Sequence, residues 1–234
     1  MFNRLPAVTK NILLVNIVLF LACQAFPILD GLLAVFYFDS PHFRPWQVIT
    51  HMFMHGSFMH IFFNMFGVYM FGAVIESYWG GKKFLWFYIL SGIGALALHE
   101  FIAWQQVHHA MQSIPASIAE GILNGSVEQV DTRYIDSAQT IYNIINVPLV
   151  GASGCLFGLL MAYGFMFPNS ELMLMFIPFP VKAKYFVIGY GAIELLQGLS
   201  NRSGDNVAHF AHIGGMIMGY ILLKYWQKQG KLYS

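Results

Sequence analysis

VGASGCLFG, Val150–Gly158, sets a serine between two glycines at the head of an apolar run. Ser153 there is either a nucleophile or a small residue that lets two helices touch, and the surrounding chain has to decide. Of the 234 residues, 57% are hydrophobic and only 10% charged. Soluble domains carry roughly 25% charged residues, so this balance points to a membrane protein. Pro148 precedes the run and Pro168 closes it at PNSE. A helix starting near Ser153 then has about 15 residues and rises about 22 Å, against a bilayer core about 30 Å thick. With its polar end cap on the cytoplasmic side, the shortfall falls at the outer end. Ser153 therefore starts a helix below the outer surface, where irregular backbone is tolerated only inside protein or along a water-filled cavity.

Six apolar runs recur, at about 11–29, 57–78, 84–104, 152–168, 183–200 and 206–226. The expected fold class is an all-α polytopic membrane protein. Six spans put Arg4, Lys10, Lys82, Lys83, Lys182, Lys184, Lys224, Lys228 and Lys231 on the cytoplasmic side and Arg44, Arg133 and Arg202 on the other. Nine against three obeys the positive-inside rule with both termini cytoplasmic, whereas an odd number of spans would put one basic terminal cluster outside. The first run lacks a small-residue cleavage site and continues through Pro27 into a hydrophobic loop, so it is not read as a signal peptide.

The chain reads as one membrane domain, 1–234, with no repeat and no low-complexity tract. Its first outer loop, LLAVFYFDSPHFRPW, suits the membrane interface. A polar outer insertion at about 105–148 carries Glu120, Glu128, Asp131 and Asp136. The spacing of Ile114, Ile118 and Ile122, and of Ile141, Ile144 and Ile145, predicts one or two short amphipathic helices. Cys23 and Cys155 fall in apolar runs and read as core, not as a disulfide framework. Net charge near zero and the lack of a basic stripe exclude nucleic-acid binding.

Polar groups inside the runs carry the chemistry. His51, His55, His60 and Asn64 lie in THMFMHGSFMHIFFN, and His209 and His212 in NVAHFAHIGGMIMG. Ionisable groups at membrane depth are costly and default to function, although helix–helix hydrogen bonding uses the same residue types. Gly154 and Gly158 form a GxxxG in the fourth run, and Gly215 and Gly219 form another in the sixth. Both runs enter from the outer side, so packing their glycine faces brings Ser153 to His212 at similar depth. A base-activated nucleophile needs that pairing. Ser57 as N-cap places His60 in the first turn of its helix and Asn64 one turn deeper on the same face. Peptide hydrolysis develops an oxyanion; His60, Asn64 and the Ser153 backbone N–H at a helix N-terminus are candidate donors.

Metal chemistry is the weaker reading. His51 and His55 have an i, i+4 spacing suited to zinc, but there is no HExxH and no carboxylate or cysteine beside either histidine group. No cofactor motif is read. No strand precedes Ser153, so the nucleophile elbow of soluble hydrolases is absent as a context. No acidic third triad member is evident, Asp205 lying seven residues before His212 and outside. Glu76 and Glu194 read as structural, and a Ser153–His212 dyad is the economical proposal.

These residues resemble the rhomboid intramembrane serine proteases. The likeness rests on HxxxHxxxxHxxxN (His51, His55, His60, Asn64), on GxSG (Gly151–Gly154) and on AHxxGxxxG (Ala211, His212, Gly215, Gly219), in the family's order. It covers about 45–226 apart from the insertion. It implies a six-helix core, a Ser153–His212 dyad with an oxyanion hole from His60, Asn64 and the Ser153 amide, and no cofactor. Its implied partners are transmembrane-protein substrates in the lipid bilayer, cut near the outer end of a substrate helix. Two positions depart from many relatives. Gln47 follows Trp46 where Trp-Arg is common, and Phe157 stands where a tyrosine often packs on the catalytic imidazole. Water must reach Ser153 from outside, so a lid is expected near 200–206 and the outer end of the fifth span. A bacterial cytoplasmic membrane is the expected location. A non-catalytic rhomboid-like binder of transmembrane helices, or a histidine-lined transporter using His51, His55, His209 and His212, are the rival readings.

Overall fold

A computed structural model describes residues 5–125, 130–173, 178–200 and 206–232. Arg4, Glu128, Arg202, Asp205 and most of the expected lid lie outside the described residues. The first helix, α1 (Ala7–Ala25), starts after Pro6 without a side-chain cap of its own. Its orphan donors are met from elsewhere. Glu76 accepts from Val8 N at 2.9 Å through Oε1, and from Thr9 N at 2.6 Å and Thr9 Oγ1 at 2.7 Å through Oε2. A buried carboxylate at a helix N-terminus satisfies both the bare N–H groups and the positive end of the dipole. Glu76 is thus structural, as its sequence suggested.

After a short α2 (Ile28–Leu33) and α3 (Gln47–Thr50), the chain enters α4 (Phe58–Gly67), a π-helical turn (Val68–Gly72) and α5 (Ala73–Gln112). Ser57 caps α4, its hydroxyl accepting from His60 N at 3.2 Å. Within α5, Gly80 adopts φ 72° and ψ 160°, which breaks the helix into two rods. A side chain at that positive φ is strained, so glycine supplies the corner between the second and third apolar runs. The second rod runs to Gln112 instead of ending near 104, because Ala103, Val107 and Ala110 continue an apolar face that the insertion covers.

The insertion folds as α6 (Ala116–Asn124) and α7 (Ile135–Asn146), the two short amphipathic helices its spacing allowed. Ile114, Ile122, Ile141 and Ile145 are buried with Tyr37 in a small core of their own, with Ile118 and Ile144 packed at its edge. The chain then reaches α8 (Ser153–Met166), a two-residue hairpin of β1 (Glu171–Leu172) against β2 (Val181–Lys182), α9 (Ala183–Leu199) and α10 (Asn206–Lys228).

Helix α8 is the centre of the bundle, packed between α5 and α10. Its 14 residues rise about 21 Å. A Cβ on Gly154 would collide with Ala95, and one on Gly215 with the Gly154 carbonyl; one on Gly219 would lie 3.1 Å from Gly158 Cα. The two GxxxG faces therefore meet, Gly154 beside Gly215 and Gly158 beside Gly219. No larger residue leaves room for this backbone contact.

Burial is inverted relative to a soluble domain. Val18, Leu21, Phe58, Ile188, Leu196 and Ile221 are exposed, whereas Asn16, Asn64, Glu100 and Glu194 are buried. An apolar exterior this extensive fits a lipid-facing surface. By length and composition, two helical stretches among the described residues can cross a membrane, Ala7–Ala25 and Phe58–Gln112. That differs from the six runs of the sequence. The kinked 58–112 stretch merges two of them, and α8 is too short to qualify alone.

The Glu76 cap yields a prediction. Glu76→Ala leaves three donor groups of α1, two of them buried, without an acceptor and is expected to destabilise the fold by about 1–3 kcal/mol. Unfolding in detergent micelles measures it, and an unchanged midpoint would show that the cap contributes nothing.

Candidate active site

The backbone leading into α8 is pinned by the segment between α2 and α4. Val35 and Leu149 form an isolated antiparallel bridge, with Val35 N to Leu149 O at 3.1 Å and Leu149 N to Val35 O at 2.8 Å. Gly151 N donates to His51 O at 3.0 Å. These bonds satisfy the irregular segment that precedes a sunken helix start. Gly151 has φ 132°, and a Cβ there would sit 2.9 Å from His60 Nε2 and 3.4 Å from Ser153 Oγ. Glycine is required at this position by both conformation and space.

The loop itself is held by Gln47, which is fully buried. Its Oε1 accepts from Arg44 N at 2.9 Å, and its Nε2 donates to Gly31 O and His42 O, each at 3.3 Å. Trp46 Nε1 donates to Leu32 O at 2.9 Å, and Glu100 Oε2 accepts from Phe38 N at 3.1 Å. The amide of Gln47 thus anchors this loop by its own geometry, without a guanidinium after Trp46.

Ser153 begins α8, and its Oγ lies 2.9 Å from His212 Nε2. Phe157, one turn into α8, stacks on the His212 imidazole with centroids 4.3 Å apart and planes 7° from parallel. The ring fixes the imidazole plane without needing the hydroxyl that a tyrosine would bring. His60 enters from the first turn of α4. With His51, Ala95, Val150, Gly151 and His212 it lines a cavity of about 170 Å³ that also exposes Ser153.

Not every expected group reaches the cavity. Asn64 is buried one turn below His60, and its Nδ2 donates to His60 O at 3.1 Å. His51 Nδ1 is hydrogen-bonded to Gln47 O at 2.8 Å, and His55 packs edge-on to His60 with ring centroids 4.9 Å apart. The histidine set of a transporter is split: His51 and His212 line the cavity, whereas His55 packs on His60 and His209 pairs with Glu194. Cys155, next to the serine, is wholly buried and packs towards Gly92.

One group was missed by the sequence reading. Glu194, from the middle of α9, is buried, and its Oε2 lies 2.8 Å from His212 Nδ1 and 2.6 Å from His209 Nδ1. The available signal was the i, i+3 spacing of His209 and His212, which puts both rings on one face of α10. An isolated carboxylate in a neighbouring apolar run was the natural partner for that face.

A family comparison decides what this arrangement belongs to. Residues 42–228, most of the chain, match the Rhomboid domain. The chain belongs to the rhomboid family. This rhomboid is 28% identical over 176 residues to RHOMBOID-like protein 12, mitochondrial, of Arabidopsis thaliana, which covers 74% of this chain and 44% of that protein. It is 28% identical over 189 residues to Rhomboid protease AarA of Providencia stuartii, 76% of this chain and 54% of that one. Against Rhomboid protein 1, mitochondrial, of Saccharomyces cerevisiae it is 26% identical, over 75% and 40% of the two chains. The chain spans about half the length of the curated relatives it matches.

These names correct the expected location. Relatives from Arabidopsis, fission yeast and budding yeast are mitochondrial proteins, so the likeness does not support a bacterial cytoplasmic membrane. Hydropathy and the distribution of basic residues report that a chain is integral to a membrane and do not distinguish one membrane from another. The integral-membrane character of the family stands.

Gly151→Ala tests the entry to α8. The positive φ and the contact with His60 together are expected to cost about 1–3 kcal/mol. Chemical denaturation in detergent reads the loss, and an unshifted curve would show that the backbone relaxes without penalty.

Proposed function

We propose that this rhomboid is an intramembrane serine endopeptidase using Ser153 as nucleophile and His212 as general base. The observation that carries the reading is the 2.9 Å hydrogen bond between Ser153 Oγ and His212 Nε2 at the wall of a cavity sunk in an apolar bundle. The family acts on membrane-protein substrates within the bilayer, and one matched relative is named a rhomboid protease. In the proposed reaction Ser153 Oγ attacks the scissile carbonyl carbon while its proton passes to His212 Nε2. The tetrahedral intermediate collapses as that proton is delivered to the leaving amine, and water then releases the acyl group by the same route.

The developing oxyanion is met by the His60 ring and by the backbone N–H of Ser153, an orphan donor at the positive end of α8. Asn64 supports this set from one turn deeper. Its Nδ2 donates to His60 O, which braces the turn of α4 that carries the His60 ring. Gly151 gives space between His60 and Ser153, Phe157 holds the imidazole plane, and Gly154, Gly215 and Gly219 set the depth at which serine and histidine meet. The domain is read as the whole of 1–234, with α6 and α7 as an insertion on the side where the cavity opens. Six spans with both termini on the lysine-rich face agree with the nine-to-three division of basic residues.

Labelling the purified full chain with a serine-directed fluorophosphonate tests this reading. Wild type is expected to form one adduct, and Ser153→Ala and His212→Ala are expected to abolish it. Loss of the general base lowers the labelling rate by at least about 10²-fold. A folded wild type that forms no adduct would favour the non-catalytic helix binder, and an undiminished adduct in Ser153→Ala would remove Ser153 as the nucleophile.

A further inference from the structure

We propose that Glu194 is a positioning residue for His212, so that the site works as a three-residue relay rather than as a dyad. The inference rests on the Ser153–His212 reading and goes beyond it.

An imidazole that takes a proton at Nε2 must carry its own hydrogen at Nδ1. The stack on Phe157 fixes the ring plane but not the tautomer, because both tautomers stack equally well. Something must read Nδ1. Among the described residues the atom that does so is Glu194 Oε2, at 2.8 Å. An ionised carboxylate only accepts hydrogen bonds, so it selects the Nδ1–H form and leaves the Nε2 lone pair for Ser153 Oγ–H.

Glu194 is itself held. It is 4% exposed, and a buried carboxylate is retained as an anion only where donors surround it. His209 supplies the second donor, with Nδ1 2.6 Å from the same oxygen. His209 and His212 are one turn apart on α10, and Glu194 comes from α9. Two donors on one helix thus aim a single acceptor from another.

The proton balance needs no further reactant. The Ser153 proton moves to His212 Nε2 as the Oγ–carbonyl bond forms, and the imidazolium then faces the Glu194 carboxylate. The proton leaves again from Nε2 to the departing amine nitrogen. Glu194 remains ionised throughout and lowers the energy of the cationic intermediate by its charge. A carboxamide at 194 would keep the shape but lose the charge, and rotated with its NH₂ towards Nδ1 it would select the wrong tautomer.

The test uses the full chain in detergent, comparing fluorophosphonate labelling rates for wild type, Glu194→Gln, Glu194→Asp and His209→Gln. Glu194→Gln is expected to slow labelling roughly 10²–10⁴-fold. Glu194→Asp should recover a large part of the rate, and His209→Gln should lose less than Glu194→Gln. A low-field proton resonance from His212 Nδ1–H, identified by its loss in His212→Ala, should survive in Glu194→Asp and vanish in Glu194→Gln.

Labelling of Glu194→Gln at the wild-type rate would overturn the proposal while leaving the serine protease reading intact. So would a loss in Glu194→Gln and Glu194→Asp alike that follows their loss of folded protein, since Glu194 would then only tie α9 to α10. Loss of labelling when wild type is treated with a metal chelator would overturn it in favour of an ion held by Glu194, His209 and His212. A wild type that never labels would remove the reading on which the proposal rests.

Discussion

The contact on which the rest depends is backbone against backbone, Gly154 with Gly215 and Gly158 with Gly219. In a bilayer no hydrophobic effect drives two helices together, so close packing has to do it, and glycine gives the closest packing available. The distance across this seam is set by main-chain atoms that have no rotamers to change. Ser153 is one residue before Gly154, and His212 is three residues before Gly215. The separation of their side chains is therefore inherited from the seam. A short helix, a sunken serine and a histidine at equal depth follow from one geometric constraint.

Around the seam, four buried polar side chains are each matched by specific partners. Glu76 closes the N-terminus of α1, Gln47 knots the loop between α2 and α3, Glu100 holds Phe38, and Glu194 joins α9 to the two histidines of α10. None of these is a solvent-facing ion pair. The exposed pair Arg133–Asp131 lies in the insertion, outside the helical bundle, where water screens it. These four groups join separate segments, at separations such as 3 residues for Gln47 with Arg44 and 67 for Glu76 with Thr9.

That distribution explains what was legible beforehand. The glycine faces, the cap by Ser57 and the pairing of Ser153 with His212 follow from helical period and rise, because each involves one helix or two with the same glycine spacing. The helices of the insertion were legible for the same reason, their isoleucines repeating at i, i+4. Glu194 was not, because its role depends on the rotation of α9 about its own axis, and the glycines of α9, Gly189, Gly191 and Gly198, lack the GxxxG spacing that would announce a face. Asn64 was placed correctly on the face of His60. Its bond to the backbone of its own helix is a choice between acceptors that spacing does not reveal. The extension of α5 to Gln112 escaped notice because its last turns are covered by a partner 30 residues later in the chain, not by lipid.

The cap on α1 also bears on biogenesis. Thr9 and Glu76 are 67 residues apart, so the donors at the start of α1 have no protein acceptor while the first helix leaves the ribosome. They must stay hydrated at the membrane surface until the rod carrying Glu76 has been made and inserted. Docking of that rod then removes the water and supplies the acceptor in one step. Helix α1 is in this sense finished only after a later helix has formed, and insertion of the second apolar run is what completes it.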